Sequence, residues 1–160
     1  MEQIDCCFTQ ENRWFRYRAC AIISNGSSIL MVTNPGVDYL YSVGGGVHHG
    51  ETAEEAVRRE VLEETGVAMQ IDRLAAVHEN FFTGLMADPK RLCHEISLYF
   101  LMKPANFKGV RAAGVSMDGM AERLVWVPFE DFGRMRVYPG FLPEIVLNQI
   151  QQVRHIVTKE

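Results

Sequence analysis

Short apolar runs separated by turn residues occupy most of the chain and predict strands. Residues 15–24 and 29–33 are apolar and β-branched, and the Asn-Gly-Ser-Ser sequence between them favours a turn. We therefore predict that these two strands pair with each other. The strand at 93–102 becomes continuously apolar after Glu95, as expected of a central strand covered on both faces. Further strands are predicted at 39–43, 70–82 and 123–127.

Two segments have the apolar spacing of helices. Residues 52–65 begin with Thr52-Ala53-Glu54-Glu55, a capping box, and Gly66 stands where a left-handed cap belongs. A second helix is predicted from Pro143 to His155, where apolar residues recur at helical spacing. The glycine-containing segment 103–122 is predicted only as a loop. Strands on both sides of one strong helix predict an α/β layered fold with a mixed sheet, in one domain over residues 1–160.

Composition and charge narrow the classes of function. The 160 residues are 48% hydrophobic and 22% charged, as in an average globular domain. Sixteen basic and twenty acidic residues give a net charge of -4, which disfavours a protein that coats duplex nucleic acid or an anionic membrane. The acidic N-terminus and the lack of a long apolar run lead us to expect a cytoplasmic protein. We expect reduced thiols at all four cysteines, Cys6, Cys7, Cys20 and Cys93, which form no C-x-x-C pair.

Three carboxylates break the amphipathic pattern of the helix at 52–65. Glu60, Glu63 and Glu64 project within an arc of about 100° centred on the face that its small apolar residues define. Like charges at this spacing destabilise a helix unless a cation neutralises them. A Mg²⁺ ion would resolve the conflict, and the backbone of Gly44–Gly46 can approach the metal and phosphate oxygens directly. The alternative is an ordinary acidic helix face in solvent.

The spacing of the whole segment from Gly45 to Val67 matches a known motif. Its sequence, Gly45-x5-Glu51-x7-Arg59-Glu60-Val61-x-Glu63-Glu64-x-Gly66-Val67, resembles the Nudix box, G-x5-E-x7-R-E-U-x-E-E-x-G-U, at every defined position. The resemblance implies a Nudix-like α/β/α sandwich with a mixed β-sheet. It also implies hydrolysis, dependent on Mg²⁺ or Mn²⁺, of a nucleoside diphosphate linked to another moiety. ADP-ribose-like sugars and nucleoside triphosphates are the two leading substrate classes, and a homodimer is a further implication.

The resemblance also implies roles for the residues of the box. Arg59 resembles the arginine that orients the glutamates, and Glu51 is expected to be its structural partner. Ser42 and Val43 stand where a Leu-Pro or Phe-Pro pair often precedes the glycines. The implied metal ligands are Glu60 and Glu64, with Glu63 directly or through water, and a carbonyl of Gly45 or Gly46.

Residues outside the box offer a general base and a substrate site. Glu95 is our leading candidate for the base, because it is a lone carboxylate at the start of an apolar strand; a strand-end charge in solvent is the alternative. Glu79 is a weaker candidate of the same kind. Arg16 and Arg18 alternate with aromatic residues, so they share a strand face on which they can meet phosphate. The aromatic candidates for stacking a base, with core packing as the alternative, are Phe81 and Phe82.

Two other functions are compatible with the implied fold. A Nudix-fold ligand-binding regulator would be expected to lose box carboxylates, and all of them are present here. An isoprenoid diphosphate isomerase would need a cysteine and acid pair, which we do not identify in the sequence. We therefore favour the hydrolase, with the regulator as the alternative.

Overall fold

Two β-sheets and two helices make up the architecture in a computed structural model, which describes residues 3–85, 88–117 and 119–160. The helices are α1 (Ala53–Thr65) and α2 (Leu142–Leu147), and single 3-10 turns span Phe107–Gly109 and Phe129–Asp131. The strands are β1 (Cys7–Gln10), β2 (Arg13–Ile22), β3 (Ser28–Thr33), β4 (Leu40–Ser42), β5 (Gly44–Gly46), β6 (Ile71–Leu85), β7 (Asp88–Met102), β8 (Arg123–Pro128), β9 (Val137–Tyr138) and β10 (Arg154–Lys159).

The larger sheet has the order β1-β2-β7-β6-β10, and β5 pairs with β2 beside this path. β2 runs parallel to β7 and β10 runs parallel to β6, whereas the remaining pairs in this sheet are antiparallel. The smaller sheet has the order β8-β3-β4-β9. The mixed sheet is confirmed, and so is the central position of β7, which lies between β2 and β6.

Apolar side chains form two cores, and each helix packs into one of them. The first core includes Val57 and Val61 of α1 together with Ala19 of β2, whereas the second includes Leu142 and Ile145 of α2. The α/β class predicted from the sequence is therefore confirmed. Within the three described ranges, no helix is long and apolar enough to span a membrane.

The predicted capping box at the start of α1 is present. The Thr52 hydroxyl accepts a hydrogen bond from the Glu55 backbone N–H at 3.2 Å, and the Glu55 carboxylate accepts one from the Thr52 N–H at 2.8 Å. At the other end Gly66 adopts a left-handed φ of 73°, and its N–H donates to the carbonyl of Leu62. Local sequence chemistry therefore fixes both ends of the helix that carries the box glutamates.

The predicted helix from Pro143 to His155 is wrong in its second half. The helix ends at Leu147, and residues 154–159 form β10 along the edge of β6. The apolar residues that suggested a continuous helix precede a β-branched sequence, Ile156-Val157-Thr158, which favours a strand. Pairing with β6, a contact distant in sequence, decides the outcome.

The predicted pairing of residues 15–24 with 29–33 is wrong beyond the turn. A bridge between Ser24 and Ile29 and a hydrogen bond from the Leu30 N–H to the Ile23 carbonyl join the two strands beside the turn. Beyond these contacts the strands separate, because β2 pairs in parallel with β7 while β3 joins the smaller sheet. The turn itself is as predicted, with the Asn25 side chain accepting from the backbone of Ser28.

Candidate active site

The three glycines before α1 form the short strand β5, whose backbone lies against the acidic helix. Gly44 has a φ of 135°, and a side chain there would overlap the backbone of Ala19. A Cβ at Gly45 would lie 2.5 Å from the carboxylate of Glu60. Only glycine allows this approach, so the glycine strand β5 presents backbone amides and carbonyls directly to the carboxylates of α1.

Arg59 connects the acidic helix to the glycine strand. Its Nε donates to Glu51 Oε1 at 2.8 Å, and its Nη2 donates to Glu51 Oε2 and to the Gly46 carbonyl, both at 3.0 Å. Its Nη1 lies 2.5 Å from Glu60 Oε1 and 3.3 Å from Glu63 Oε2. Hydrogen bonds from Arg59 hold the pKa of Glu51 below its usual value. The guanidinium thus has the orienting position that the Nudix resemblance implies.

Glu64 is the most deeply buried of the box carboxylates, with 7% of its surface exposed. Its two oxygens lie 3.4 and 3.3 Å from the Gly44 backbone nitrogen. Burial, followed by repulsion from Glu122 and Glu60, raises the pKa of Glu64 to about 9. Burial also raises the pKa of Glu60. These buried, mutually repelling carboxylates beside backbone carbonyls are a donor set that suits a hard divalent cation.

The charge of Glu60 acts on Glu64, and Glu60 and the more exposed Glu63 both contact Arg59 Nη1. The Glu63 side chain is 57% exposed and turns toward Arg59. In the described part of the chain, no three His, Cys, Asp or Glu side chains are grouped so that they could hold a metal ion. The charge of the site fits a cation, and Glu60 and Glu63 each place one carboxylate oxygen on Arg59 and keep the other without a described partner.

A carboxylate missed in the sequence, Glu122, lies beside Glu64. The Tyr41 hydroxyl donates to Glu122 Oε1 at 2.8 Å, and the Glu122 N–H donates to the Gly114 carbonyl at 3.1 Å. Its repulsion is the largest contribution of any single charge to the raised pKa of Glu64. Glu122 belongs to the segment 103–122, where no hydrophobic periodicity offers a signal; only its place just before a predicted strand could have drawn attention to it.

Backbone hydrogen bonds fasten this long segment to the end of α1. The Arg111 N–H donates to the Thr65 carbonyl at 2.9 Å, and the Ala113 N–H donates to the Glu64 carbonyl at 3.0 Å. These bonds satisfy carbonyls that the last turn of a helix leaves without internal partners. The loop is thereby held beside the box, which explains how Glu122 reaches Glu64 from a distant part of the sequence.

Arg16, Arg18 and Glu95 lie on the same face of the larger sheet, as the alternation of β2 predicts. Arg18 donates to the Gly44 carbonyl at 3.1 Å and lies 3.6 Å from Glu95 Oε1, which also accepts from Ser97 at 3.0 Å. Arg16 has a buried Nε without a described hydrogen-bond partner. Glu95 is 8% exposed, so it belongs to a buried polar cluster rather than being a strand-end charge in solvent.

Phe81 and Phe82 point to opposite faces of β6 and cannot both stack on one base. Phe81 stacks on His94 with ring centres 4.2 Å apart, on the face away from the arginines. Phe82 follows it in the strand and therefore faces the side of the arginines. Glu79 shares the face of Phe81, and its Oε2 lies 2.7 Å from His155 Nε2. The structure thus does not bring Phe81 or Glu79 together with Arg16, Arg18 and Glu95.

A second carboxylate missed in the sequence comes from the chain before β1. Asp5 Oδ1 lies 3.3 Å from His48 Nε2, and a Cβ at Gly46 would lie 2.5 Å from the Asp5 carboxylate. The negative charge of Asp5 also acts on Arg16. Asp5 precedes the first predicted strand, so only the folded structure reveals its place beside the glycine strand.

The site thus combines a glycine strand, an arginine and an acidic helix within an α/β fold with a mixed sheet. The family model of the NUDIX domain matches residues 14–145, and the chain belongs to this family. The match ends before β10. No curated protein sequence matches the chain significantly.

Several solved structures share this fold. The Mutator MutT protein from Bacillus halodurans superposes with a TM-score of 0.63 at 17% identity, covering 90% of each chain. The MutT NUDIX hydrolase from Burkholderia pseudomallei gives a TM-score of 0.61 at 23% identity, covering 86% of this chain and 98% of that one. A UDP-X diphosphatase gives 0.58 at 16% identity, covering 88% of this chain and 66% of that one. At these identities the likeness shows the fold.

Proposed function

We propose that the protein is a divalent-metal-dependent pyrophosphohydrolase. Its substrate is a nucleoside diphosphate linked to another moiety, either a nucleotide sugar such as ADP-ribose or a nucleoside triphosphate. The observation that carries this proposal is the Arg59 network, which joins the complete Nudix box to the backbone of the glycine strand. Names of the structural neighbours, which include MutT proteins and a UDP-X diphosphatase, are compatible with this class of substrate.

We assign the cation to Glu60, Glu64 and a carbonyl of the glycine strand, with Glu63 as a further ligand, directly or through water. A bound Mg²⁺ or Mn²⁺ would neutralise charge on the pyrophosphate and lower the pKa of the attacking water. Arg18 donates a hydrogen bond to the Gly44 carbonyl and so helps to hold the glycine strand in place. Arg16 shares the sheet face of Arg18, contacts Met117 Sδ through Nη1 and is our candidate to meet a phosphate oxygen of the substrate.

Two carboxylates outside the box are candidates for the general base. Glu122 lies directly beside Glu64, and its Oε2 atom has no described hydrogen-bond partner. Glu95 lies further from the box, because the Arg18 side chain lies between Glu95 and the Gly44 carbonyl. We assign the base to Glu122 and the part of Glu95 to ordering the arginines; the variants described in the Discussion test this choice.

A phosphate-release screen tests the proposed activity. The purified protein is incubated with nucleotide sugars, dinucleotide polyphosphates and nucleoside triphosphates, each with Mg²⁺, with Mn²⁺ or with a chelator. We expect metal-dependent hydrolysis of at least one class and little turnover in chelator. Hydrolysis that continues unchanged after complete removal of divalent ions would show that the metal assignment is wrong.

The alternative, a ligand-binding regulator, predicts a different result from the same samples. Calorimetry would then detect tight binding of a nucleotide in the presence of metal, without turnover of any substrate class. The Glu64→Gln variant separates the two functions further. If the wild type is a hydrolase, this variant still binds the nucleotide but no longer hydrolyses it.

We further propose that the protein works in the cytoplasm, where thiols stay reduced. All four cysteines are free in the structure, including the adjacent Cys6 and Cys7. The homodimer implied by the resemblance belongs to the same proposal. Light scattering across a concentration series tests the dimer, and a constant monomer mass would reject it.

A further inference from the structure

A chain of hydrogen bonds runs from the β3–β4 loop to Glu122. The buried Asn34 accepts from the Gly36 N–H at 2.8 Å through Oδ1, and its Nδ2 donates to the Tyr41 hydroxyl at 3.1 Å. Tyr41 then donates to Glu122 Oε1 at 2.8 Å. Each member of the chain therefore has a defined direction of donation.

The direction of the chain follows from the number of protons available. The Gly36 N–H can only donate, so it fixes the Asn34 amide with its oxygen toward the loop and its NH₂ toward Tyr41. A phenol has one proton, and because Tyr41 accepts from Asn34 that proton is left for Glu122. Burial raises the pKa of Tyr41 well above its usual value, so the hydroxyl keeps this proton.

The position of Glu122 requires such support. Its carboxylate and the Glu64 side chain meet at Gly114, where an added Cβ would contact both, and Glu122 comes from a loop rather than from a helix or a central strand. The hydrogen bond to Oε1 holds the carboxylate in place and leaves Oε2, which lies against Gly114 next to Glu64, without a described hydrogen-bond partner. Without that bond, no described side-chain hydrogen bond holds the Glu122 carboxylate beside Glu64, so we expect it to rotate toward solvent.

We propose that Tyr41 and Asn34 are positioning residues that hold Glu122 against the box glutamates with one carboxylate oxygen free. This role rests on the proposed function only in assigning Glu122 to the site. Neither residue belongs to the Nudix box, and neither touches the box glutamates through a described hydrogen bond. They act through Glu122 alone.

The test compares Tyr41→Phe with Tyr138→Phe. Tyr138 lies opposite Tyr41 on the paired strand β9 and carries no described bond to Glu122, so it is a matched control. Mn²⁺ affinity is measured by paramagnetic resonance on the free protein, and kcat and KM are measured on the best substrate. Because loss of this bond lets the negative charge of Glu122 move away from Glu64 and the cation site, we expect Tyr41→Phe to weaken Mn²⁺ binding. We also expect it to lower kcat by about 10-fold, the usual scale for loss of an outer-shell partner, with KM changed less than about twofold. Tyr138→Phe should behave as wild type.

Asn34→Asp provides a second variant with nearly the same shape. It keeps an acceptor for the Gly36 N–H but replaces the donated N–H with an acceptor, which competes with Glu122 for the proton of Tyr41. We expect the same direction of change in Mn²⁺ affinity and kcat. Combining it with Tyr41→Phe should add little, because both act through one hydrogen bond to Glu122.

A Glu122→Ala background distinguishes positioning from general stabilisation. If Tyr41 acts through Glu122, Tyr41→Phe changes neither Mn²⁺ affinity nor kcat in that background. The proposal is overturned if Tyr41→Phe only lowers the melting temperature, if it leaves Mn²⁺ affinity unchanged, or if its effects persist in Glu122→Ala. Should the wild type hydrolyse no substrate, the proposed function fails, whereas the Mn²⁺ titration still decides the role of Tyr41.

Discussion

Glu64 is the residue on which burial and charge act most strongly. It lies beneath the glycine strand, against Gly44, with Glu60 and Glu122 as negative neighbours. The free energy of desolvating its charge is offset only when a cation or a proton is present. The same property suits Glu64 to the proposed role of metal ligand and makes it a source of instability in metal-free protein.

Replacing Glu64 with glutamine should therefore have opposite effects on activity and stability. We expect Glu64→Gln to lower kcat by at least ~10²-fold, as for loss of a preorganised charged group. In metal-free buffer near pH 8 it should melt above wild type, because folding of the wild type requires Glu64 to take up a proton or to bury its charge, and glutamine requires neither. Steady-state kinetics and thermal melts check both effects. Full activity with metal present would remove Glu64 from the catalytic residues.

Glu95 and Glu122 make different predictions for the base. If Glu122 is the base, Glu122→Gln lowers kcat strongly with little change in KM and removes the acidic limb of the pH-rate profile, whereas Glu95→Gln keeps that limb. A ligand role would instead show as activity partly recovered at high Mg²⁺. A Mg²⁺ titration of kcat at several pH values compares both variants. Loss of the acidic limb in Glu95→Gln alone would identify Glu95 as the base.

The sequence predicts the part of the site whose residues lie close together in the chain. The box residues lie on one helix and one loop, so their spacing alone places Arg59 and Glu60 near the glycines. Glu122 and Asp5 reach the site through folding of distant segments, and neither carries a periodic or spaced pattern. Phe81 and Phe82 are the opposite case. They are adjacent in the sequence, but adjacent residues on a strand point to opposite faces, so the two rings do not share one site.

At the scale of elements, α1 and β10 differ in what determines them. Both ends of α1 are fixed by side chains and a glycine within or next to the helix, and this is why the sequence predicts it well. β10 exists because its residues pair with β6 far earlier in the chain. Apolar spacing at 145–153 predicts a helix there, and tertiary pairing overrides that local tendency after Leu147.

The attachment of β10 can be tested through Thr158, whose hydroxyl lies 2.9 Å from His78 Nε2 and donates to Asn80 Oδ1 at 2.6 Å. Thr158→Val keeps the shape and strand preference but removes both bonds. We expect a loss of about 1–2 kcal/mol, the usual scale for buried hydrogen bonds, and a lower melting temperature. Val157→Thr, on the exposed face of the same strand, is the control and should change stability by less than about 0.5 kcal/mol. Equal melting of both variants would contradict the role of Thr158.

For the whole molecule, the raised pKa values of Glu64 and Glu60 couple stability to pH and to metal. A carboxyl group with a raised pKa in the folded state binds its proton more tightly when folded. Its stabilising contribution is complete below the unfolded pKa near 4.5 and is lost as pH rises toward about 9 for Glu64. Cation binding needs the charged form, so metal affinity rises over the same range.

We therefore expect the melting temperature of metal-free wild type to fall, relative to Glu64→Gln, as pH rises from 5 to 9. Saturating Mg²⁺ should remove most of this difference by stabilising the folded, ionised form. Calorimetric melts of both proteins in chelator and in Mg²⁺ measure the effect. Parallel pH profiles for the two proteins in chelator would show that Glu64 does not titrate in this range.

The fastening of residues 111–113 to the last turn of α1 also has a consequence for amide hydrogen exchange. Arg111 and Ala113 are exposed at the surface, yet their amides donate to the Thr65 and Glu64 carbonyls. These two hydrogens should exchange far more slowly than that of Ala112 between them, and only when the segment lifts from the helix. Their exchange rates thus measure how often the segment that leads to Glu122 lifts from α1, and Mg²⁺ should slow both. Fast exchange at both positions would show that the segment is not held there in solution.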